Sequence, residues 1–105
     1  MATDWLKSIE VSENIKIQYI DFDRGISEYY IKGIGKVDGY CHETKTVYEF
    51  HGDFWHGNPS LFDPNDINKV TGTTFDQLYQ NTIHRENKIR ELGYNLIVKW
   101  QTDFI

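Results

Sequence analysis

The stretch Asp38-Gly39-Tyr40-Cys41-His42-Glu43-Thr44-Lys45-Thr46-Val47-Tyr48-Glu49-Phe50-His51 decides how the chain is read. A strand ending at Cys41, a polar turn over His42 to Lys45 and a strand over Thr46 to His51 make an antiparallel hairpin. With Glu43-Thr44 at the tip, partner numbers sum to 87, so Asp38 stands opposite Glu49. Side chains opposed in this way have Cβ atoms about 4.5–5.5 Å apart, where like charges repel. A sequence shaped only by folding would avoid that placement. A divalent cation between the carboxylates turns the repulsion into ligation by hard oxygen donors. Strand alternation puts His51 on the same face as Glu49. The plainer reading of Asp38, Glu49 and His51 is a polar, solvent-facing side of the hairpin.

The next run, Gly52-Asp53-Phe54-Trp55-His56-Gly57-Asn58-Pro59, adds a second histidine and two adjacent aromatics. An unperturbed imidazole titrates near 6.5, so His56 suits proton transfer around neutral pH. Asp53 reads either as a catalytic acid or as a loop acid capping local amides. Phe54 and Trp55 read either as core or as a contact surface.

Working outward, Asp4 to Ile9 has the spacing of a short amphipathic helix, and Lys16 to Phe22 alternates like a half-buried strand. Asp23-Arg24-Gly25 is a turn, followed by strands over Glu28 to Ile34 and Gly35 to Cys41. Gly57 to Gly72 holds both prolines and reads as a long loop, the kind that tends to carry function. Thr74-Phe75-Asp76-Gln77 is a capping box opening a helix to Leu92, with Gly93 as its stop. Tyr94 to Trp100 reads as a buried final strand. This order predicts an α/β fold whose central sheet is mixed and flanked by helices.

On the late helix, Phe75, Leu78, Tyr79, Thr82, Glu86 and Ile89 share one stripe. An unpaired carboxylate there is costly, so Glu86 needs a donor or a cation. Arg90, one turn on, is the simplest partner; a place in the site is the alternative.

The bulk numbers restrict the function. One hundred and five residues make one ordinary domain. The lone Cys41 excludes an internal disulfide and a cysteine-based zinc site, and fits an intracellular setting. No apolar run approaches the roughly 20 residues of a membrane span, and no signal peptide is evident. A formal charge of −5 makes the chain a poor autonomous binder of phosphate backbones. Arg85, Lys88 and Arg90, with Lys69, are the best phosphate contacts, and a solvated helix face explains them equally. His42, His84 and Cys41 read as structural or exposed.

From Asp38 to Thr102 the chain resembles the very-short-patch repair endonucleases and the related phage homing endonucleases, a branch of the PD-(D/E)xK nuclease superfamily. The likeness lies in Asp38 with its spacing to Glu49, His51-Gly52-x-Phe54-Trp55-His56, Arg85-Glu86, and Leu92-Gly93-Tyr94 leading to Val98-Lys99-Trp100. It implies a restriction-endonuclease-like core and Mg²⁺-dependent hydrolysis of double-stranded DNA, with Mn²⁺ as a substitute. Asp38 would anchor the metal, with Glu49 restoring the superfamily's usual acid. His51 would hold the metal or its water, and His56 would serve as base or proton donor. Phe54 and Trp55 correspond to aromatics that wedge between base pairs.

Three departures stand out. The repair enzymes' structural zinc has no counterpart, since its positions read Asp53, Asn58, Ser60 and Thr102. Glu49 replaces what the repair enzymes have lost. Their first-helix Glu is matched only by Asp4 or Glu10. The homing-type branch fits best, so the expectation is a phage- or virus-encoded cytoplasmic nuclease domain, a fragment whose DNA-binding region lies outside this chain. A dimer or tetramer is compatible with it. A non-catalytic interaction module on a degenerate nuclease fold, or a DNA junction resolvase, are the alternatives.

Overall fold

The computed structural model describes residues 2–104. In chain order its elements are α1 (Ala2–Glu13), β1 (Tyr30–Ile31), β2 (Gly35–Lys36), β3 (Gly39–Cys41) and β4 (Thr46–His51). They continue as α2 (Asp53–His56), α3 (Phe75–Glu91), β5 (Asn95–Trp100) and α4 (Gln101–Phe104). The main sheet runs β3-β4-β5, with β4 antiparallel to β3 and parallel to β5. The fold is therefore α/β with a mixed sheet flanked by helices. No helix of the described residues is long and apolar enough to cross a membrane.

The hairpin register matches the sequence reading residue for residue: Gly39 pairs Tyr48, Tyr40 pairs Val47 and Cys41 pairs Thr46. Alternation along β4 then sorts its side chains between two helices. Tyr48 and Phe50 face α1, where Trp5, Leu6, Ile17 and Cys41 complete one apolar cluster. Val47 joins Ile31, Val37, Tyr40 and Ile89 in a second cluster beneath α3. Each fully buried side chain of this size contributes about 1.5–3 kcal/mol. Glu49 and His51 share the Val47 face, so α3 covers them as well.

Half of the expected capping box forms, because the Gln77 side chain donates to Asn81 Oδ1 at 2.8 Å instead of turning back to Thr74. The Thr74 hydroxyl accepts the Gln77 N–H at 3.1 Å, and the Gly93 backbone after the helix takes a φ of 93°. The helix lies at the site because the α2–α3 connection is pinned by Asn68, which is wholly buried. Its side-chain amide donates to the Phe54 carbonyl at 3.1 Å and its oxygen accepts the Val70 and Thr71 N–H groups.

Five expectations are corrected. The first helix is longer, running Ala2–Glu13. Lys16 to Phe22 is not a strand; only Gln18 bridges Tyr40 and Asp21 bridges Ile26. The strand expected over Glu28 to Ile34 shortens to β1 and pairs β2 in a separate hairpin. The one expected over Gly35 to Cys41 breaks at Val37-Asp38 because the Asp38 carboxylate, through Oδ2, takes the Phe50 N–H at 2.7 Å where the ladder would continue. β5 is an edge strand: none of its six residues is fully buried, and Ile97 is 42 % exposed.

Candidate functional site

Asp38, Glu49, His51 and His56 line one cleft of about 300 Å³, with Lys36, Phe50 and Arg85 completing its wall. Asp38 and Glu49 meet across the hairpin as the register requires. The Glu49 Oε2 accepts the Asp38 N–H at 3.3 Å, while Asp38 Oδ2 holds Phe50. Each carboxylate thus stiffens the backbone that carries the other. The opposition of two acids is relieved by Arg85 on α3, whose Nε donates to Glu49 Oε1 at 2.6 Å. The rest of the guanidinium donates to the Ile34 and Lys36 carbonyls at 3.1 and 2.8 Å. Arg85 is therefore a clamp joining α3, β4 and the β1–β2 hairpin, each of its three nitrogens donating one hydrogen bond.

The second row of the site is the pair of imidazoles. Their ring centroids are 4.4 Å apart, and Trp100 packs edge-on against both. His51 is 2 % exposed, and its Nε2 lies 3.0 Å from Glu86 Oε2. Glu86 also faces Arg90, 3.8 Å away. Arg90, the partner read from the helix stripe, is thus present, but the His51 imidazole is nearer. A carboxylate behind a histidine orients its ring and leaves Nδ1 as the nitrogen available to the cleft. His56 is held through its Nδ1, 2.9 Å from the Thr82 hydroxyl.

Burial sets the protonation states. It pushes both His51 and His56 down to about 4, and the neighbouring His51 lowers His56 further. Both rings are neutral at pH 7. Burial raises the Glu49 carboxyl, against the lowering pull of Arg85, and likewise raises Glu86. Perturbed groups gathered in one cleft are what a catalytic site displays, although an ion-pair network also produces them.

The structure separates the remaining candidates. Asp53 is buried away from the cleft, where its Oδ1 accepts from the Asn58 amide at 2.9 Å and the Thr102 hydroxyl at 3.3 Å. Its carboxylate accepts from side chains rather than from local backbone amides, and it does not line the cleft. Phe54 is half-buried and packs on Phe62 and Phe75, whereas Trp55 is 54 % exposed. Trp55 borders a shallow apolar groove with Leu78 that shares His56 and Arg85 with the cleft. Lys88 is exposed on the helix face. Asp4 points outward, and Glu10 is spent on the Ile17 N–H at 2.9 Å, so neither enters the cleft.

Three contributors escaped the sequence reading. Lys36 lines the cleft from the hairpin, and Thr82 holds His56. Glu28 lies near Asp38; burial raises its carboxyl and the Asp38 charge raises it further. Periodicity marks Thr82 only as one more stripe residue, and nothing local marks Glu28 or Lys36. A larger cleft of about 520 Å³ between α1 and Tyr19–Arg24 brings no paired acids and imidazoles together, and its Asp21 is occupied by Arg24 and by local N–H groups.

Comparison with protein-family models and with curated proteins returned no match.

Proposed function

We propose that the chain is the catalytic domain of a divalent-cation-dependent, homing-type endonuclease on a restriction-endonuclease-like core, hydrolysing phosphodiester bonds in double-stranded DNA. The observation that carries this reading is the cleft in which Asp38 opposes Glu49 beside two neutral imidazoles. Binding strength and target choice are assigned to a region outside this chain, since a net charge of −5 gives little attraction for DNA.

Among the described residues no three His, Cys, Asp or Glu side chains converge as a ready-made metal cage. Mg²⁺ does not need one, because it is held by one or two carboxylates and keeps waters and substrate oxygens as its other ligands. Asp38 and Glu49 are the carboxylates that would hold it, with His51 Nδ1 beside them. When bound, Mg²⁺ or Mn²⁺ supplies Lewis-acid stabilisation of the charge that develops on the phosphate.

The protein's own groups do the rest. Lys36 offers the cleft a cation for a phosphate oxygen. His56 takes the proton of the attacking water as its oxygen bonds phosphorus. The bond to the leaving sugar oxygen breaks, and that oxygen is protonated from solvent. Trp55 supports the flanking nucleotides from the adjoining groove.

Incubating the chain and its Asp38→Asn variant with supercoiled plasmid and Mg²⁺ tests this. The amide oxygen of Asn still accepts the Phe50 N–H, so the variant keeps its circular dichroism while losing cleavage by at least about 10²-fold. Equal cleavage by both proteins refutes the site. Glu49 already neutralised by Arg85 is what favours a second reading, a non-catalytic module on the same fold. That reading prevails if wild type shows neither cleavage nor calorimetric binding of Mg²⁺ or Mn²⁺.

A further inference from the structure

The two imidazoles of the cleft are held through opposite nitrogens by residues one turn apart on α3. His51 is tied through Nε2 to Glu86, and His56 through Nδ1 to Thr82. The Thr82 hydroxyl has a second neighbour, the Leu78 carbonyl oxygen at 3.0 Å, to which it donates along its own helix. A hydroxyl has one proton. Were that proton turned toward His56, two acceptor oxygens would face each other at 3.0 Å with no hydrogen between them. With the proton on the Leu78 side, the 2.9 Å contact to His56 is a hydrogen bond only if Nδ1 carries the hydrogen.

We propose that Thr82 is a positioning residue that fixes neutral His56 as the Nδ1–H tautomer, leaving Nε2 as a bare acceptor for the cleft. The assignment deepens the nuclease reading and rests on it for what that acceptor does. It makes His56 the base that deprotonates water and excludes it from donating a proton to the leaving group. Thr82 is 4 % exposed and lies four residues before Glu86 on the same helix face, so one rigid element registers both rings. Which ring nitrogen of a catalytic histidine carries the proton is commonly set by the bond made at the other nitrogen.

The test uses the whole chain with ¹⁵N-labelled histidine, read by long-range ¹H–¹⁵N correlation at neutral pH. The His56 signals are assigned by their loss in His56→Gln. The expected spectrum shows a pyrrole-type Nδ1 and a pyridine-type Nε2 in wild type and in Thr82→Ser. Thr82→Val, which keeps the shape but not the hydroxyl, is expected to mix the tautomers. On plasmid with Mg²⁺, Thr82→Val lowers kcat by about 10- to 100-fold with KM unchanged, and Thr82→Ser restores it. A wild-type Nε2–H tautomer overturns the proposal, as does a Thr82→Val variant with unaltered tautomer or unaltered kcat. If the spectra behave as expected and wild type cleaves nothing, the nuclease reading fails while the tautomer assignment stands.

Discussion

Arg85 and Glu49 meet at 2.6 Å, Nε to Oε1, and join α3 to the middle strand of the sheet. Glu49 is 5 % exposed, so this pair is one whose disruption leaves a buried charge without a partner. Removing one member of a buried pair costs about 3–5 kcal/mol. The Arg85 side chain is 32 % exposed, so part of its interaction is screened, which brings the expectation to roughly 2–3 kcal/mol. Arg85→Met should therefore shift the urea midpoint far more than Lys88→Met, made on the same helix face. Pairing Arg85→Met with Glu49→Gln should recover part of the loss, since the uncompensated charge goes too. A stability change in Arg85→Met no larger than in Lys88→Met disproves the clamp.

The depressed histidines give a second expectation, with a definite sign. His51 and His56 ionise at about 4 in the folded chain, against 6.5 for the unperturbed side chain. Between those values the unfolded chain binds protons that the folded chain refuses, so their contribution to stability declines as pH falls from about 6.5 toward about 4. The raised carboxyls of Glu49 and Glu86 work the other way, because the folded chain takes up their protons first. The comparison that isolates the imidazoles is therefore wild type against His56→Gln. Urea melts at pH 7 and pH 5 should show wild type losing more stability on acidification than the variant. Equal losses would mean that His56 titrates as an exposed histidine does.

How far the sequence foretold this depends on where each residue's partners lie along the chain. The Asp38–Glu49 opposition was legible because a hairpin is local: a tip and an alternation fix the register, and Gly39 to Cys41 pair as counted. The α3 limits were legible for the same reason, through the Thr74 cap and Gly93. The Arg85 contacts with Glu49, Ile34 and Lys36 were not legible because they are set by how the helix crosses the sheet, which periodicity does not encode. Thr82 stayed hidden behind the same crossing. Lys16 to Phe22 alternates like a strand, yet only the isolated bridges of Gln18 and Asp21 form, so its pattern reflects packing on α1 through Ile17 and Tyr19. The separation of Asp53 from Asp38 was not legible either, since both are acids beside the same strands.

Neighbouring aromatics should behave oppositely. Phe54 packs against Phe62 and Phe75 at centroid distances of 6.0 and 5.8 Å and anchors the loop that leads into α3. Truncating a core phenylalanine costs about 3–5 kcal/mol, and its half-burial reduces that to roughly 2 kcal/mol for Phe54→Ala. Trp55, 54 % exposed, should cost within about 0.5 kcal/mol on Trp55→Ala, while plasmid cleavage or duplex binding falls. Thermal melts and gel-shift assays of the two variants decide it. A Trp55→Ala protein that is destabilised but unaltered toward DNA would return Trp55 to the core.

A polar knot holds the start of α2. Asp53 and Asn58 bond each other and the sequence-distant Thr102, Asn58 donating to Asp53 Oδ1 at 2.9 Å and to the Thr102 hydroxyl at 3.4 Å. Asn58 Oδ1 accepts the Ser60 N–H at 2.9 Å, so all four positions are drawn together by hydrogen bonds. The knot ties the start of α2 to α4. Gly57 beside it takes a φ of 64°, and a Cβ there would strike the Phe75 carbonyl. Leaving a buried polar partner unsatisfied costs about 1–3 kcal/mol, so Asn58→Ala should lower the melting temperature and also slow cleavage by displacing His56. Because these side chains satisfy one another by hydrogen bonding, a chelator such as EDTA should leave the wild-type melting temperature unchanged even as it stops Mg²⁺-dependent cleavage. A fall in melting temperature on chelation, restored by zinc but not by Mg²⁺, would show that these residues ligate a structural ion after all.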